Sequence, residues 1–198
     1  TAPAVGIDLG LKAFLVTSDG GQVAAPKLYR AAQAHLRRAA RRVARRRKGS
    51  TRRKKAVKTL VKVHEHVANQ RRDFHHKTAK ALVDEHGLIA HEDLNVRGIA
   101  RTRLAKSTHD AGWAAFLAIL AHKAAEAGVR VIGVNPRNTT QACSGCGALP
   151  PIRLTLSDRV HTCSCGLTLD RDENAARNIL ALGLSVQAIT WPPGACVA

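Results

Sequence analysis

The stretch VGIDLGLKAFLVTSDGG, from Val5 to Gly21, contains the pattern from which the start of the fold can be inferred. Its apolar runs have the length and composition of short strands, and a Ser-Asp-Gly-Gly turn connects them to a third run. The predicted strands, which would form a β-meander, span residues 5–9, 13–17 and 22–24. Asp8 lies between two glycines, where an aspartate either helps to hold a nucleotide phosphate, as in actin-like ATPases, or binds a catalytic metal ion.

The charge of the chain indicates a polyanionic partner. Thirty-two Lys and Arg against fourteen Asp and Glu leave a formal net charge of +18 over 198 residues. A compact fold tolerates such self-repulsion best when nucleic acid neutralises it. The length accommodates one principal core and a small satellite. No apolar run approaches the length of a membrane-spanning helix and no signal peptide precedes the first strand, so we expect a soluble intracellular protein without a membrane partner.

Most of the positive charge lies in one block. No acid occurs between Asp19 and Glu65, and thirteen Lys or Arg fall between Arg37 and Lys58. A run of charges is often only a solvated helix surface or a disordered arm, but apolar residues recur at helical spacing here. We predict an antiparallel basic helical hairpin over about 30–86, broken near Gly49, with one face on the core and the other along a phosphate backbone. The predicted packing stripe is Val57, Leu60, Val61, His64, Val67, Ala68, Phe74, Thr78, Ala81 and Leu82. The predicted nucleic-acid contacts are Arg37, Arg38, Arg41, Arg42, Arg45, Arg46, Arg52, Arg53, Lys54, Lys55, Arg71, Arg72 and Arg137.

The rest of the chain alternates strands and helices. A short apolar strand at 88–90 ends on acidic residues, a helix is predicted over about 110–127, and another strand over 129–134. The polar, basic segment 99–109 has weak periodicity and is predicted to be a mobile surface loop. Together with the meander, this order predicts an α/β fold.

Four cysteines indicate a zinc site. Cys143 and Cys146 are separated by sixteen residues from the pair Cys163 and Cys165, and a glycine follows each pair. This spacing is typical of a zinc ribbon with a structural, four-thiolate Zn²⁺. Two disulfides are the alternative, but an intracellular protein lacks the oxidising compartment that maintains them. Cys196 has no partner at ligand spacing and is predicted to be a free thiol without a role.

The carboxylates decide between the two roles of Asp8. An actin-like ATPase needs a second phosphate-binding segment and an adenosine pocket, and neither is evident. A metal-dependent nuclease needs acids from distant parts of the chain, and Glu92 at a strand end and Asp172 at the start of a helix satisfy that need. Taken singly, Glu92 could be a turn residue, and Asp170 or Asp172 a helix N-cap.

Several motifs together resemble the RuvC nuclease region of the TnpB (OrfB) transposon-encoded proteins, relatives of the type V CRISPR effectors. The resemblance runs almost end to end and keeps the order of the family. The motifs are GIDLG around Asp8, RRKKAVKTLVKVHEHVANQRRDFHHKTAKALV, EDLNVRG from Glu92, LAKSTHDAGWAAFL, NPRNTTQACSGCG and CSCGLTLDRDENAARNIL.

The resemblance implies a ribonuclease H-like (RuvC) fold and a three-carboxylate site for two Mg²⁺ or Mn²⁺. By motif the ligands are Asp8, Glu92 and Asp172, and an activated water would attack the scissile phosphorus. Asp172 is preferred to Asp170 because it leads into Glu-Asn-Ala-Ala as the family motif does. The implied organisation is a nuclease core over 1–134, a zinc-ribbon insert over 135–169, a final core helix over 170–190 and a tail over 191–198.

The resemblance also implies DNA and a guide RNA made from the transposon end as partners, and a prokaryotic cytoplasm, with the nucleoid, as the location. Family members carry a wedge-like β domain and a helical recognition lobe ahead of the GIDLG strand, and the 198 residues contain neither. We therefore expect cutting of single-stranded or loosely paired DNA rather than programmed cutting of a duplex. The alternative is a non-catalytic DNA- or RNA-binding fragment or a transposition regulator.

Overall fold

The structure, a computed structural model, describes residues 2–155 and 157–190. The predicted tail and Cys196 lie outside the described residues. The strands are β1 Ala4–Leu9, β2 Ala13–Thr17, β3 Gln22–Ala24, β4 Leu88–Glu92, β5 Arg130–Val134, β6 Val160–Thr162 and β7 Thr168–Asp170. The helices are α1 Leu28–Ala44, α2 Thr51–Glu85, α3 Val96–Ile99, α4 Ala105–Ala111, α5 Trp113–Ala127 and α6 Arg171–Thr190. No helix in these two described ranges is both long and apolar enough to span a bilayer.

Five strands form one mixed sheet in the order β3-β2-β1-β4-β5. The predicted meander is present, because β2 pairs antiparallel with both β1 and β3. The strands β1, β4 and β5 run parallel, with Ile7 paired to His91. The carboxyl ends of parallel strands meet at one edge of a sheet, so the residues that end β1 and β4 are neighbours there.

Alternation along the strands divides the core between the two faces of the sheet. In β1, Val5, Ile7 and Leu9 pack with α2 and α5. In β4, Leu88 and Ala90 pack instead with Ile179 of α6. Because successive side chains point to opposite faces, Asp8 and Glu92 both lie on the face covered by α6.

Two glycines allow α6 to lie very close to that face. A Cβ on Gly6 would be 2.1 Å from the carbonyl oxygen of Ala176, and a Cβ on Gly183 would be 2.5 Å from the Cβ of Ala90. Side chains larger than hydrogen at either position would push the helix away from the sheet. The absence of a Cβ therefore sets the distance between the start of α6 and the ends of β1 and β4.

The basic hairpin consists of α1 and α2, which pack against each other. Leu36 and Ala39 of α1 are buried, and the guanidinium of Arg53 donates to the carbonyl of Val43 at 2.9 Å, which joins the two helices beside the turn that connects them. The predicted packing stripe is wrong in part, because Val57 and Val61 are 39% and 46% exposed. Also exposed are His64, Ala68 and Ala81.

The seam of α2 that faces α1 runs instead through Ala56, Leu60, Val63 and Val67. The first half of α2 packs on a single narrow, alanine-rich helix, and such contact buries only one residue per turn. The second half lies on the sheet and buries the wider set His75, Thr78, Ala79, Leu82 and Val83.

The predicted loop at 99–109 is wrong in part: residues 100–104 form an irregular connection, but α4 begins at Ala105 and continues to Ala111. Long-range contacts supply the order that local periodicity lacked. Buried Asp110 accepts hydrogen bonds from the backbone N–H groups of Tyr29 and Arg30 and so caps the start of α1. Gly112, at φ 67°, separates α4 from α5, so the predicted helix over 110–127 begins at Trp113.

Candidate active site and zinc site

The three predicted metal-binding carboxylates come together at the carboxyl edge of the sheet. Asp8 and Glu92 are both buried on the α6 face. Burial raises the pKa of Asp8 to about 7, and the negative charges of Glu92 and Asp172 act in the same direction. Burial likewise raises the pKa of Glu92, while a hydrogen bond from the hydroxyl of Thr139 acts to lower it. Asp8 thus lies close enough to Glu92 and Asp172 for their negative charges to act on its carboxyl group.

Asp172 occupies the first turn of α6 with its side chain 20% exposed. Two arginines approach its oxygens without forming close ion pairs: Arg159 and Arg171 are each 3.8 Å away. Asp170, just before the helix, accepts a hydrogen bond from the backbone N–H of Asp172 at 2.9 Å. Asp170 therefore acts as a helix N-cap, and the carboxylate of Asp172 remains available to a ligand.

The chemistry of this carboxylate set fits Mg²⁺ or Mn²⁺. Both ions prefer hard oxygen ligands, and one or two carboxylates per ion are usual. Burial and the charges of Glu92 and Asp172 raise the pKa of Asp8 by more than the charge of Arg171 lowers it. A divalent cation would relieve that repulsion.

The four cysteines form a tighter group. In the described part of the chain, theirs is the single set of three or more His, Cys, Asp or Glu with every ligand atom within 4.8 Å of the others. The Sγ atoms of Cys143 and Cys165 are 3.7 Å apart, and those of Cys146 and Cys163 are 3.6 Å apart. Sulfurs at the corners of a tetrahedron around zinc would be about 3.8 Å apart, so the four thiols could hold Zn²⁺.

Disulfides do not fit these distances, since a disulfide bond is about 2.05 Å long. The four cysteines are free. The backbone N–H of Cys165 and neighbouring thiols lower the pKa of Cys163 to about 6. Against the lowering effect of the Ala148 backbone, hydrogen bonds with the other three cysteines raise the pKa of Cys146 to about 12, so the thiols share their protons as one group. Gly147 and Gly166 have φ values of 75° and 90°, so the tight turns after each cysteine pair need glycine.

Hydrogen bonds attach the cysteine cluster to α6. Asn174, fully buried, donates to the carbonyl of Ala142 at 2.8 Å and accepts from the backbone N–H of Ser144 at 2.9 Å. Asn178 donates to the carbonyls of Ala142 and Thr139 at 2.7 and 2.8 Å. The sequence analysis did not single out these residues. The sequence feature that could have identified them is a pair of asparagines four residues apart, on one face of a helix, directly after Asp172 and Glu173.

The basic hairpin presents most of the predicted nucleic-acid contacts to solvent. Grooves of about 270 and 550 Å³ flank the contact between α1 and α2. The second is lined by Arg42, Arg46, Arg52 and Lys55. Exposed as predicted are Arg37, Arg38, Arg41, Arg42, Arg45, Arg46, Arg52, Lys54, Lys55, Arg72 and Arg137.

Two of the predicted contacts are used inside the protein. Arg53 binds the end of α1, and Arg71 lies 3.8 Å from the carboxylate of Asp110. Their partly buried side chains stabilise the hairpin and its junction with α4. The exposed arginines and lysines of the two grooves are the better candidates for contact with a phosphate backbone.

Comparison with known proteins identifies the family. A model described as "Probable transposase" (OrfB, IS605 type) matches residues 1–103, and one described as "Cas12f1-like, TNB domain" matches residues 113–179. A "Putative RNA-guided DNA endonuclease" of Streptomyces pristinaespiralis is 38% identical over 190 residues, which are 95% of this chain and 47% of the relative. The "Putative RNA-guided DNA endonuclease InsQ" of Escherichia coli K12 is 31% identical over 95% of this chain and 51% of its own length.

Solved structures show the same fold. A cryo-EM structure of a CRISPR-Cas12f ternary complex matches with a TM-score of 0.65 and 21% identity, over 90% of this chain and 38% of that one. A Cas12f1–sgRNA–target DNA complex matches with a TM-score of 0.64 and 18% identity, over 89% of this chain and 49% of that one. The chain spans about half the length of the curated relatives it matches. On the strength of the matching family model and of these relatives, the chain belongs to the TnpB/OrfB family of transposon-encoded proteins.

Proposed function

We propose that this chain is the nuclease region of a TnpB-type RNA-guided DNA endonuclease with a ribonuclease H-like fold. The observation that carries the proposal is the meeting of three acids from distant parts of the chain. Asp8 and Glu92 end adjacent parallel strands on one face of the sheet, and Asp172 lies in the first turn of the helix that covers this face. Such a convergence is what phosphodiester hydrolysis with two metal ions requires.

In this mechanism Asp8, Glu92 and Asp172 would together hold the divalent ions. Bound Mg²⁺ or Mn²⁺ would supply charge neutralisation at the scissile phosphate and would acidify the attacking water. The proton on Asp8 must leave before the carboxylate can bind a cation. Arg159, whose side chain is 43% exposed and lies 3.8 Å from Asp172, would be placed to contact the substrate phosphate. Arg171 is buried and donates a hydrogen bond to the carbonyl of Thr155.

The four cysteines would hold one structural Zn²⁺. Four protein ligands close the tetrahedral coordination sphere and leave no position for substrate. The chemistry therefore belongs to the carboxylates, and the zinc holds the insert together.

DNA and a guide RNA are the proposed partners. The relatives named above are described as RNA-guided DNA endonucleases, and one of the matching structures contains sgRNA and target DNA. The exposed basic grooves of α1 and α2 would follow a phosphate backbone, with sequence specified mainly by base pairing. These partners would place the protein at the nucleoid in a prokaryotic cytoplasm.

A non-catalytic nucleic-acid-binding fragment or transposition regulator is the second candidate, favoured by the exposed basic grooves of α1 and α2, which could bind nucleic acid without the carboxylates. Cleavage of labelled single-stranded DNA with Mg²⁺ or Mn²⁺ separates the two. The variants are Asp8→Asn and, as a matched control, Asp93→Asn, which changes an exposed acid beside Glu92.

Metal-dependent cutting that is lost in Asp8→Asn and kept in Asp93→Asn would support the nuclease. DNA binding by the native chain without any cutting would favour the binding fragment. Omission of the divalent ion, rather than EDTA, is the metal-free condition, because a chelator would also remove zinc.

A further inference from the structure

The carboxylate of Glu92 is held by a residue of the segment that leads into the cysteine cluster. The hydroxyl of Thr139 donates a hydrogen bond to Oε1 of Glu92, and both side chains are buried. The hydroxyl oxygen of Thr139 also lies 3.0 Å from the carbonyl of Pro136. One hydroxyl proton cannot satisfy both acceptors fully, so Glu92 and the Pro136 carbonyl share the Thr139 hydroxyl.

Thr139 is itself held by α6. Asn178 donates to the carbonyl of Thr139 at 2.8 Å and to that of Ala142 at 2.7 Å, so one side chain joins the threonine to the start of the first cysteine turn. Asn174, one helical turn earlier, binds the backbone of Ala142 and Ser144. These contacts flank Cys143, which is 1% exposed.

The cysteine insert has little apolar packing of its own. Leu149 and Ile152 are 57% and 82% exposed, and Val160 is 56% exposed. Backbone hydrogen bonds of the insert, such as that from Gly147 N–H to the Cys143 carbonyl at 2.8 Å, lie in short turns and in the two-stranded ladder of β6 and β7. Zinc bound by the four thiolates would be the main constraint on the shape of the segment that Asn174 and Asn178 contact.

We propose that the zinc ribbon positions the catalytic carboxylate of Glu92 through Thr139, with Asn174 and Asn178 as the links. This inference rests on the proposed function, in which Glu92 binds a divalent cation. Thr139 is then a positioning residue: it does not touch the substrate but fixes the direction of a metal ligand, as partners of metal-bound carboxylates commonly do.

The first test compares Thr139→Val, which keeps the shape and loses the hydroxyl, with Thr139→Ser, which keeps the hydroxyl. Mn²⁺ affinity is measured by electron paramagnetic resonance and zinc content by elemental analysis. We expect Thr139→Val to bind Mn²⁺ about 10- to 100-fold more weakly with one zinc per chain retained. Thr139→Ser should restore most of the affinity. Equal Mn²⁺ affinity in the native chain and Thr139→Val would overturn the role of Thr139.

The second test concerns the link to zinc and does not depend on activity. The chain has five glutamates, so selective ¹³C labelling of their carboxyl groups gives a spectrum that can be assigned. We expect the Glu92 resonance to shift both in Thr139→Val and in the zinc-deficient Cys163→Ser. The resonance of Glu65, exposed on α2, should stay unchanged. The double variant should shift Glu92 no further than either single change, since both break the same connection.

An unchanged Glu92 chemical shift in the zinc-deficient variant would overturn the link between the ribbon and the active site. If circular dichroism shows that Cys163→Ser unfolds the whole chain, the variant Asn178→Ala is used in its place. We expect Asn178→Ala to retain zinc and to show a shifted Glu92 resonance. Failure of the proposed function is a separate result: it would appear as Mn²⁺ binding that is unaffected by Asp8→Asn, while the Glu92 resonance would still decide this inference.

Discussion

The carboxylate of Asp170 accepts a hydrogen bond from the backbone N–H of Asp172, at 2.9 Å. This contact gives the two neighbouring acids different roles. Asp170 satisfies an N–H group at the start of α6, while the oxygens of Asp172 have only arginines at 3.8 Å. Substitution of each acid in turn can therefore test whether Asp172 rather than Asp170 is the metal ligand.

We expect Asp172→Asn to abolish metal-dependent cleavage and weaken Mn²⁺ binding by at least about tenfold, because it removes a charged ligand. Asp170→Asn should retain metal-dependent cleavage and Mn²⁺ binding, since asparagine caps helices as well as aspartate does. Asp170→Ala should lower the free energy of unfolding by about 1 kcal/mol. Mn²⁺ titration and urea denaturation check these outcomes. A larger loss of Mn²⁺ affinity in Asp170→Asn than in Asp172→Asn would reverse the assignment.

The stability of the metal-free chain should fall as the pH rises from about 4 to 7. The pKa of Asp8 is about 7 in the folded chain against 3.8 for an unperturbed aspartate, so the folded state binds the extra proton in this window. Stability decreases with pH wherever the folded state binds more protons. Asp8→Asn should therefore be more stable than the native chain at pH 8, by up to about 4 kcal/mol.

Urea denaturation at pH 5 and pH 8 without divalent ions measures this effect. Between pH 5 and pH 8, the free energy of unfolding should fall much less in Asp8→Asn than in the native chain. The affinity of the native chain for Mn²⁺ should rise with pH up to about 7, because the proton on Asp8 must leave. A native chain whose stability and Mn²⁺ affinity do not change between pH 5 and 8 would contradict the buried environment of Asp8.

Gly6→Ala should damage both stability and activity. The new methyl group would lie 2.1 Å from the carbonyl oxygen of Ala176, so α6 must move away from β1. We expect a loss of about 1–3 kcal/mol or more in the free energy of unfolding, with weaker Mn²⁺ binding because Asp172 moves with α6. Gly133→Ala is the matched control, since its methyl group would meet nothing nearer than 3.6 Å. Similar losses in both variants would show that the close approach of α6 is not the cause.

The grooves of the basic hairpin should give a steep salt dependence. If six or more phosphates are neutralised, affinity for DNA should fall roughly a thousandfold between about 50 and 200 mM salt. The triple variant Arg42→Ala, Arg46→Ala and Lys55→Ala should lower the slope of log affinity against log salt by about 2 for single-stranded DNA. Lys77→Ala with Lys80→Ala is the control, because these lysines pair with Asp73 and Asp84. A slope unchanged by the triple variant would place the nucleic acid elsewhere.

Zinc removal should melt the ribbon and leave the main sheet folded. The principal core consists of residues of β1, β2, β4, α2 and α5 and contains none from 135–169. We expect calorimetry of the zinc-free chain to retain one cooperative transition, while the amides near Cys143 and Cys163 lose protection from hydrogen exchange. Loss of all cooperative unfolding would mean that the ribbon is part of the core.

Local patterns were sufficient for much of the architecture. Period-2 runs and a Gly-rich turn identified the meander, and cysteine spacing identified a four-thiol cluster that the structure brings within 4.8 Å. The acids could be chosen as candidates because few exist and several lie at strand or helix ends. All of these signals depend on residues close together in the chain, where geometry follows from the repeat of a strand, a turn or a metal-binding loop.

Contacts between distant segments decided the rest. The carboxylate of Asp110 in α4 binds the start of α1, about eighty residues away, and such a contact leaves no periodic signal in the segment itself. The seam of α2 shifted to Ala56 and Leu60 because its neighbour is the narrow helix α1 rather than the sheet.

By itself, the sequence determined most of the strands and helices of the core, which residue types could bind metal and where the positive charge lies. Only the tertiary structure decided that Asp8 and Glu92 share the face covered by α6, that Asp170 rather than Asp172 caps this helix, and that Thr139 reaches Glu92. The physical reason is that a hydrogen bond or a shared face between residues far apart in the chain depends on how the strands and helices pack together. The periodicity of a single strand or helix does not specify that packing.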